Sequence, residues 1–190
     1  MYTKVKLCYL KALTMFIESP LVYLRAIEPK DINVLYEWEN DLKLWPVSFT
    51  QIPFSKFILE EFVNASHQDI YTNKQLRLMV NDKSSHETIG AIDLFEFDPQ
   101  HARCGIGIYI HENFRQQGFA SQCIELIKTY AFNTLNLKQI YAHVNENNQS
   151  SLKLFTNCGF EKNGLKKCWH KTGLNSFENV WFLQYINNGV

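Results

Sequence analysis

The segment from Ile106 to Ala120 sets a polar loop, His111 to Gln117, between a β-prone run and a helical pattern. The first N–H groups of a helix have no intrahelical acceptor and carry a partial positive charge, so such a junction can hold a phosphate. Gly118 lets the backbone approach an anion with no Cβ in the way. Ala120 keeps the first turn open, and Arg115 adds a cation. The spacing predicts a phosphate-binding loop made of Arg115, Gln116, Gln117, Gly118, Phe119 and Ala120. It is neither a Walker A loop nor a GxGxxG fingerprint. A plain helix start is the competing reading.

Other residues could move protons or bind an amine. Asp93 stands amid Ile89, Ala91, Ile92, Leu94 and Phe95. A carboxylate there either faces solvent or has a task, because burial without a partner is costly. The task would be amine binding or water-relayed base catalysis. His143, at the end of another apolar run, is a candidate base by its ordinary pKa. Asn148 and Ser151 precede a short helical pattern, where each either caps the helix or binds a ligand. Tyr36, Trp38, Glu39, Asp41 and Trp45 combine acids with aromatics, which suits a cationic amine by charge and cation–π contact. A solvated helix face with core aromatics explains the same residues equally well.

These groups need elements to hold them. Alternation predicts a strand over 21–27. Pro29 and Asp31 then suit a first helical turn, followed by an amphipathic helix to about residue 41, with Trp45-Pro46 ending the region. A second amphipathic helix is expected over 54–66. Three strands, 75–81, 88–97 and 103–110, are joined by short polar turns and read as an antiparallel meander. A helix over 118–134, a strand over 137–144, a helix over 151–157 and strands over 160–168 and 176–186 complete the chain. This order is neither steady βα alternation nor all-β. It predicts an α/β (α+β) fold, a mixed sheet with helices on both faces.

The chain has 190 residues, 19 basic and 19 acidic side chains and 46% hydrophobic residues. Zero net charge argues against nucleic acid or an anionic membrane as partner. No apolar run is long enough to span a bilayer. The five cysteines form no CxxC pair. Neither a disulfide framework nor a metal site is expected, and a reducing cytoplasm is the default. Cys104 and Cys158 lack a His–acid partner in recognisable spacing and read as core thiols. Residues 1–20 read as an N-terminal extension and a candidate for disorder, and residues 21–190 as one domain.

Over about residues 21–187 the sequence resembles the GNAT superfamily of acyl-CoA-dependent N-acyltransferases. Arg115-Gln116-Gln117-Gly118-Phe119-Ala120 is similar to its Q/R-x-x-G-x-G/A pyrophosphate loop. The run from Val144 to Phe160 resembles its N-x-x-S/A-x-x-x-Y/F-x-x-x-GF element. Leu24-Arg25 and Trp38-Glu39-Asn40-Asp41 look most like the RimJ/RimL branch and its spermidine N-acetyltransferase relatives. The resemblance implies a mostly antiparallel central sheet, with acetyl-CoA in a V-shaped gap between the strands at 104–110 and 138–144. Pantetheine would bond along Ile108, Tyr109 and Ile110, with Asn148, Ser151 and Phe155 nearby. Asp93, His143 and Ser151 are the catalytic candidates. Direct transfer to a small-molecule amine or a peptide N-terminus is implied, and a homodimer is a permitted assembly. Phe155 stands where many relatives carry a proton-donating Tyr, and Gly105 where spermidine-type relatives carry a Glu. An acyl-CoA-binding sensor without efficient transfer is therefore the competing function.

Overall fold

The computed structural model describes residues 17–48 and 50–189. Residues 1–16 of the expected extension lie outside the described residues. The sheet has eight strands: β1 (Ile17–Glu18), β2 (Val22–Ala26), β3 (Leu76–Asp82), β4 (Thr88–Asp98), β5 (Arg103–Ile110), β6 (Gln139–Asn145), β7 (Glu161–Lys171) and β8 (Phe177–Ile186). Their spatial order is β1-β2-β3-β4-β5-β6-β8-β7. Every neighbouring pair is antiparallel except β5 with β6. Ile17 and Glu18 pair with Leu24 and Tyr23, so the sheet already begins before Pro20.

Among the described residues six α-helices accompany the strands: α1 (Ile32–Glu39), α2 (Trp45–Ser48), α3 (Lys56–Ala65), α4 (Ile70–Asn73), α5 (Phe119–Asn133) and α6 (Gln149–Asn157). Local chemistry sets several of their starts. Ser55 accepts from the Ile58 N–H and begins α3, and Asp69 accepts from Thr72 and begins α4. Asn148 Oδ1 accepts from the Ser151 N–H and begins α6. Two expectations change. Trp45-Pro46 opens a one-turn helix rather than ending the region, and the four-residue α4 was not foreseen.

Strand alternation divides the core into two layers. On one face Leu24, Leu78, Val80, Ile92, Leu94, Ile106 and Ile140 meet Cys123, Ile124, Ile127 and Ala131 of α5 and Leu152 and Phe155 of α6. On the other, Met79 and Ala91 meet Leu35 of α1 and Leu59 and Val63 of α3, with Trp38 and Phe62 beside them. Helices therefore cover both faces, and apolar burial at roughly 25 cal/mol per Å² holds them there. Burial pushes the Cys104 and Cys123 thiols up to about 12, so both are protonated core residues rather than nucleophiles.

Candidate active site

The parallel join between β5 and β6 is short. It consists of Arg103 with Gln139, Cys104 with Ile140 and Gly105 with Tyr141. Beyond it β5 stays with β4 as far as Ile110 opposite Gly90, while β6 stays with β8 as far as Asn145 opposite Val180. The two strands thus part after Gly105 and Tyr141. The edge of β5 from Ile106 to Ile110 that would face β6 carries no ladder, and its backbone groups need a partner from elsewhere. Ile108 and Tyr109 are half-buried there.

The chain leaves the open end of this gap through a 3-10 turn at Glu112–Phe114 and enters α5. Arg115 Nε donates to the Ile110 carbonyl at 2.9 Å, tying the loop to the strand end. Gln116 and Gly118 have φ of 61° and 85°. Left-handed residues in such a turn aim successive N–H groups to one side, forming an anion-binding concavity. Gly118 is the residue just before α5, and a Cβ there would meet only Leu21 Cδ1, at 3.8 Å. Space does not require glycine at 118; the backbone conformation does. Arg115, Gln116, Gln117 and Gly118 are exposed, Ala120 is half-buried, and Phe119 anchors the helix in the core.

One bank of the gap is built from α1 and the strands under it. The Trp38 ring lies against Tyr109, with centroids 5.0 Å apart. Trp45 Nε1 donates to the Glu39 carbonyl at 3.0 Å. Arg77 reaches Asp93 with two donors, at 2.7 and 3.0 Å, and Glu39 with a third at 2.6 Å. Burial opposes the Arg77 charge, but the two carboxylates outweigh it and raise its pKa. Asp93 is thus neither a plain solvent-facing carboxylate nor a free base; a bidentate guanidinium occupies it. The Glu39 carboxylate, expected to meet an amine, is committed to the same Arg77. Asp41 turns its side chain to the Lys43 N–H, and Tyr36 is exposed beneath Lys56 Nζ, 5.4 Å from the ring centroid.

The other bank carries His143. Its Nε2 lies 2.9 Å from Lys166 Nζ on β7, and its ring packs beside Tyr141 and Phe182. Burial first, and Lys166 second, lower the His143 pKa. Tyr141 donates its hydroxyl proton to Glu96, and burial together with that carboxylate raises its pKa. A histidine lowered in the folded state binds fewer protons than in the unfolded chain. Its contribution to stability is complete above about 6.5 and falls away as pH drops from 6.5 toward the lowered value. Replacing Lys166 by Met should move the His143 titration up toward 6.5, read by NMR of the imidazole protons.

On the second motif, Asn148 Oδ1 accepts from the Ser151 N–H at 3.1 Å and the Ser150 hydroxyl at 2.9 Å. The capping reading of Asn148 is therefore realised, and Ser151 takes part through its backbone. Phe155 is buried edge-to-face against Phe160, with centroids 5.0 Å apart. At Gly105 an added Cβ would meet the Phe95 ring at 2.3 Å, so no larger residue fits beneath that ring unless it moves.

Arg77, Glu96, Tyr141 and Lys166 were missed as site residues. Arg77 pairs with Asp93 through a register shift at Val80 and Asn81; the register next to the turn, Asn81 opposite Thr88, would have set Ile92 there instead. Among the described residues no group of His, Cys, Asp and Glu could hold a metal ion, and no helix is long and apolar enough to cross a membrane.

The chain is 31% identical to the spermidine N(1)-acetyltransferase of Vibrio cholerae over 142 residues, covering 74% of this chain and 79% of that one. It is 24% identical to the spermidine N(1)-acetyltransferase of Escherichia coli, covering 75% and 74%. The fold matches the crystal structure of the Vibrio cholerae spermidine N-acetyltransferase in complex with CoA and spermine. The TM-score is 0.79 at 27% identity, over 87% of this chain and 95% of that one. The acetyltransferase (GNAT) domain family matches residues 22–161. That span runs from the first residue of β2 through the meander, the loop and both motifs, and by it the chain belongs to the GNAT acetyltransferase family.

Proposed function

We propose that the protein transfers the acetyl group of acetyl-CoA directly to a primary amine of a polyamine or a related small cationic molecule. The observation that carries this reading is the parting of β5 from β6 directly before the Arg115–Ala120 loop. The free edge at Ile108, Tyr109 and Ile110 would receive pantetheine as an added strand, and the N–H groups of residues 116–120, with Arg115, would receive the pyrophosphate. Asn148 and Ser151 would border the same arm, and the closer kinship would be with the RimJ/RimL branch. The relatives that act on spermidine favour a small amine over a peptide N-terminus.

In this mechanism the neutral amine attacks the thioester carbon. The N–H near Ile108 stabilises the oxyanion, the C–S bond breaks, and CoA leaves as the thiolate without an acyl-enzyme. Phe155 has no proton to give, and a thiolate of ordinary acidity leaves without one. Of the base candidates, His143 fits best, because Arg77 holds Asp93. Since His143 Nε2 already faces Lys166, the two would act as a relay: His143 accepts a proton from the Lys166 ammonium, and the lone pair so freed takes the proton of the attacking amine. Trp38, Trp45 and Tyr36 would line the approach of the acceptor, and Glu96 would add negative charge on the far bank. Exposed Trp169, Leu174 and Phe177 around the β7–β8 hairpin suit contact with further copies of the chain.

The deciding measurement incubates the protein with acetyl-CoA and a panel of polyamines, amino sugars and N-terminal peptides, and follows release of free CoA thiol. Polyamine-dependent release is the expected result. CoA binding without release for any amine would instead favour the acyl-CoA-binding sensor.

A further inference from the structure

The base candidate is aimed at an amine the protein already owns. From the last β5–β6 rung, Gly105 opposite Tyr141, one further same-face step would set Gly107 across the gap from His143. His143 is therefore the first outward side chain of β6 on its bank once the strands have parted. Its neighbour at 2.9 Å is the Lys166 ammonium, which also lies 4.5 Å from the Trp169 ring centroid and 5.9 Å from that of Phe182. With its Nε2 facing this ammonium, the neutral imidazole is placed to take a proton from it as the nitrogen becomes a nucleophile. Lys166 is half-buried on the edge strand β7, and its side chain reaches across β8 to the imidazole that borders the gap.

We infer that Lys166 is a site of self-acetylation, a built-in acceptor that competes with the free amine for the acetyl group. The inference rests on the proposed acetyl-CoA reading of the gap. In the reaction His143 takes one proton from Lys166 Nζ, and the nitrogen lone pair attacks the thioester carbon. A C–N bond forms, the C–S bond breaks, the second nitrogen proton is lost to water, and CoA leaves as the thiolate. The modified residue is an amide. It has no charge and no basic nitrogen, so it cannot serve the relay or the cation–π contacts. A protein held with acetyl-CoA in the absence of acceptor would switch itself down, and bound acceptor would protect it.

Exposure alone predicts the opposite order of modification. Lys162 and Lys167 on the same strand are exposed, whereas Lys166 is half-buried. The test incubates the full chain with acetyl-CoA and no amine, then measures acetylation of each lysine by peptide mass spectrometry over time. Lys166 is expected to react about 100-fold faster than Lys162 or Lys167, the low end of what a positioned base contributes. Added polyamine should slow it, and His143→Gln and Gly118→Glu should remove the excess. Lys166 reacting no faster than Lys162 and Lys167 in the parent protein overturns the inference. Amine-dependent thiol release from the same preparation separates the two failures. With release present, self-acetylation alone falls; with release absent for every amine, the transferase reading falls with it.

Discussion

Gly118→Glu should abolish CoA binding at concentrations that saturate the parent protein, measured by calorimetry or by quenching of intrinsic fluorescence. Two effects act together. At φ 85° any side chain is strained, by about 1–2 kcal/mol for a non-glycine residue. The added carboxylate would also face the pyrophosphate that the loop is proposed to hold. A like charge at about 4 Å costs roughly 4 kcal/mol at an effective dielectric of about 20, close to a thousandfold in affinity. Salt screening at an exposed loop reduces this, and a loss of at least about 100-fold is expected. Gly118→Ala separates the causes. Leu21 Cδ1 at 3.8 Å leaves room for its methyl group, so strain acts alone. That variant should lose thermal stability and keep most of its affinity. Equal affinity in parent, Ala and Glu proteins would show that the anion is held elsewhere.

The loop was legible in the sequence because its determinants are local. A glycine before a helical pattern, with a polar stretch ahead of it, specifies both the left-handed turn and the unpaired N–H groups. The meander was legible for a similar reason: short polar turns leave few alternatives to antiparallel neighbours. The gap itself was not readable from composition or periodicity. It arises because β6 commits its whole length to β8, a strand more than thirty residues later, and keeps only three rungs with β5. The family resemblance, not the local pattern, supplied that expectation.

The far bank was hidden for a different physical reason. Strict alternation turns Glu96 away from Phe95, and the residue reads as surface. In the fold, a register shift between Phe95 and Asp98 and a φ of 50° at Glu96 break the alternation. The carboxylate then reaches Tyr141, whose own ring packs against Phe95. A bulge of this kind re-aims one side chain without leaving a strong mark in composition. Lys166 was hidden because a lysine on an edge strand commonly serves only to keep that edge from pairing with another sheet. Only the neighbouring His143 gives it another meaning.

Arg77→Leu should be the most destabilising single change on the acceptor bank, although it removes no residue assigned to chemistry. The guanidinium joins three elements: its own β3, Asp93 on β4 and Glu39 at the end of α1. The three side chains are only 18%, 21% and 19% exposed, so removing the cation leaves two carboxylates close together with little water. Breaking a buried pair in this way costs about 3–5 kcal/mol, and the residual exposure points to the lower end, about 3. The guanidinium also packs on Phe62, 5.3 Å from the ring centroid, and that contact is lost as well. For a chain of this size the loss corresponds to a fall of roughly 6–12 °C in Tm. Arg77→Lys keeps a charge but not the fork that bonds Asp93 twice, so it should fall between parent and Leu. The double variant Arg77→Leu with Asp93→Leu should be more stable than Arg77→Leu alone, because it removes one stranded charge together with its lost partner. Denaturant unfolding of the four proteins decides the matter. If Arg77→Leu unfolds within about 0.5 kcal/mol of the parent, the triad is solvated in solution and does not hold α1 to the sheet. If the expected order appears, Asp93 is a structural carboxylate whose partner is fixed, and the guanidinium fork is what holds α1 to the sheet.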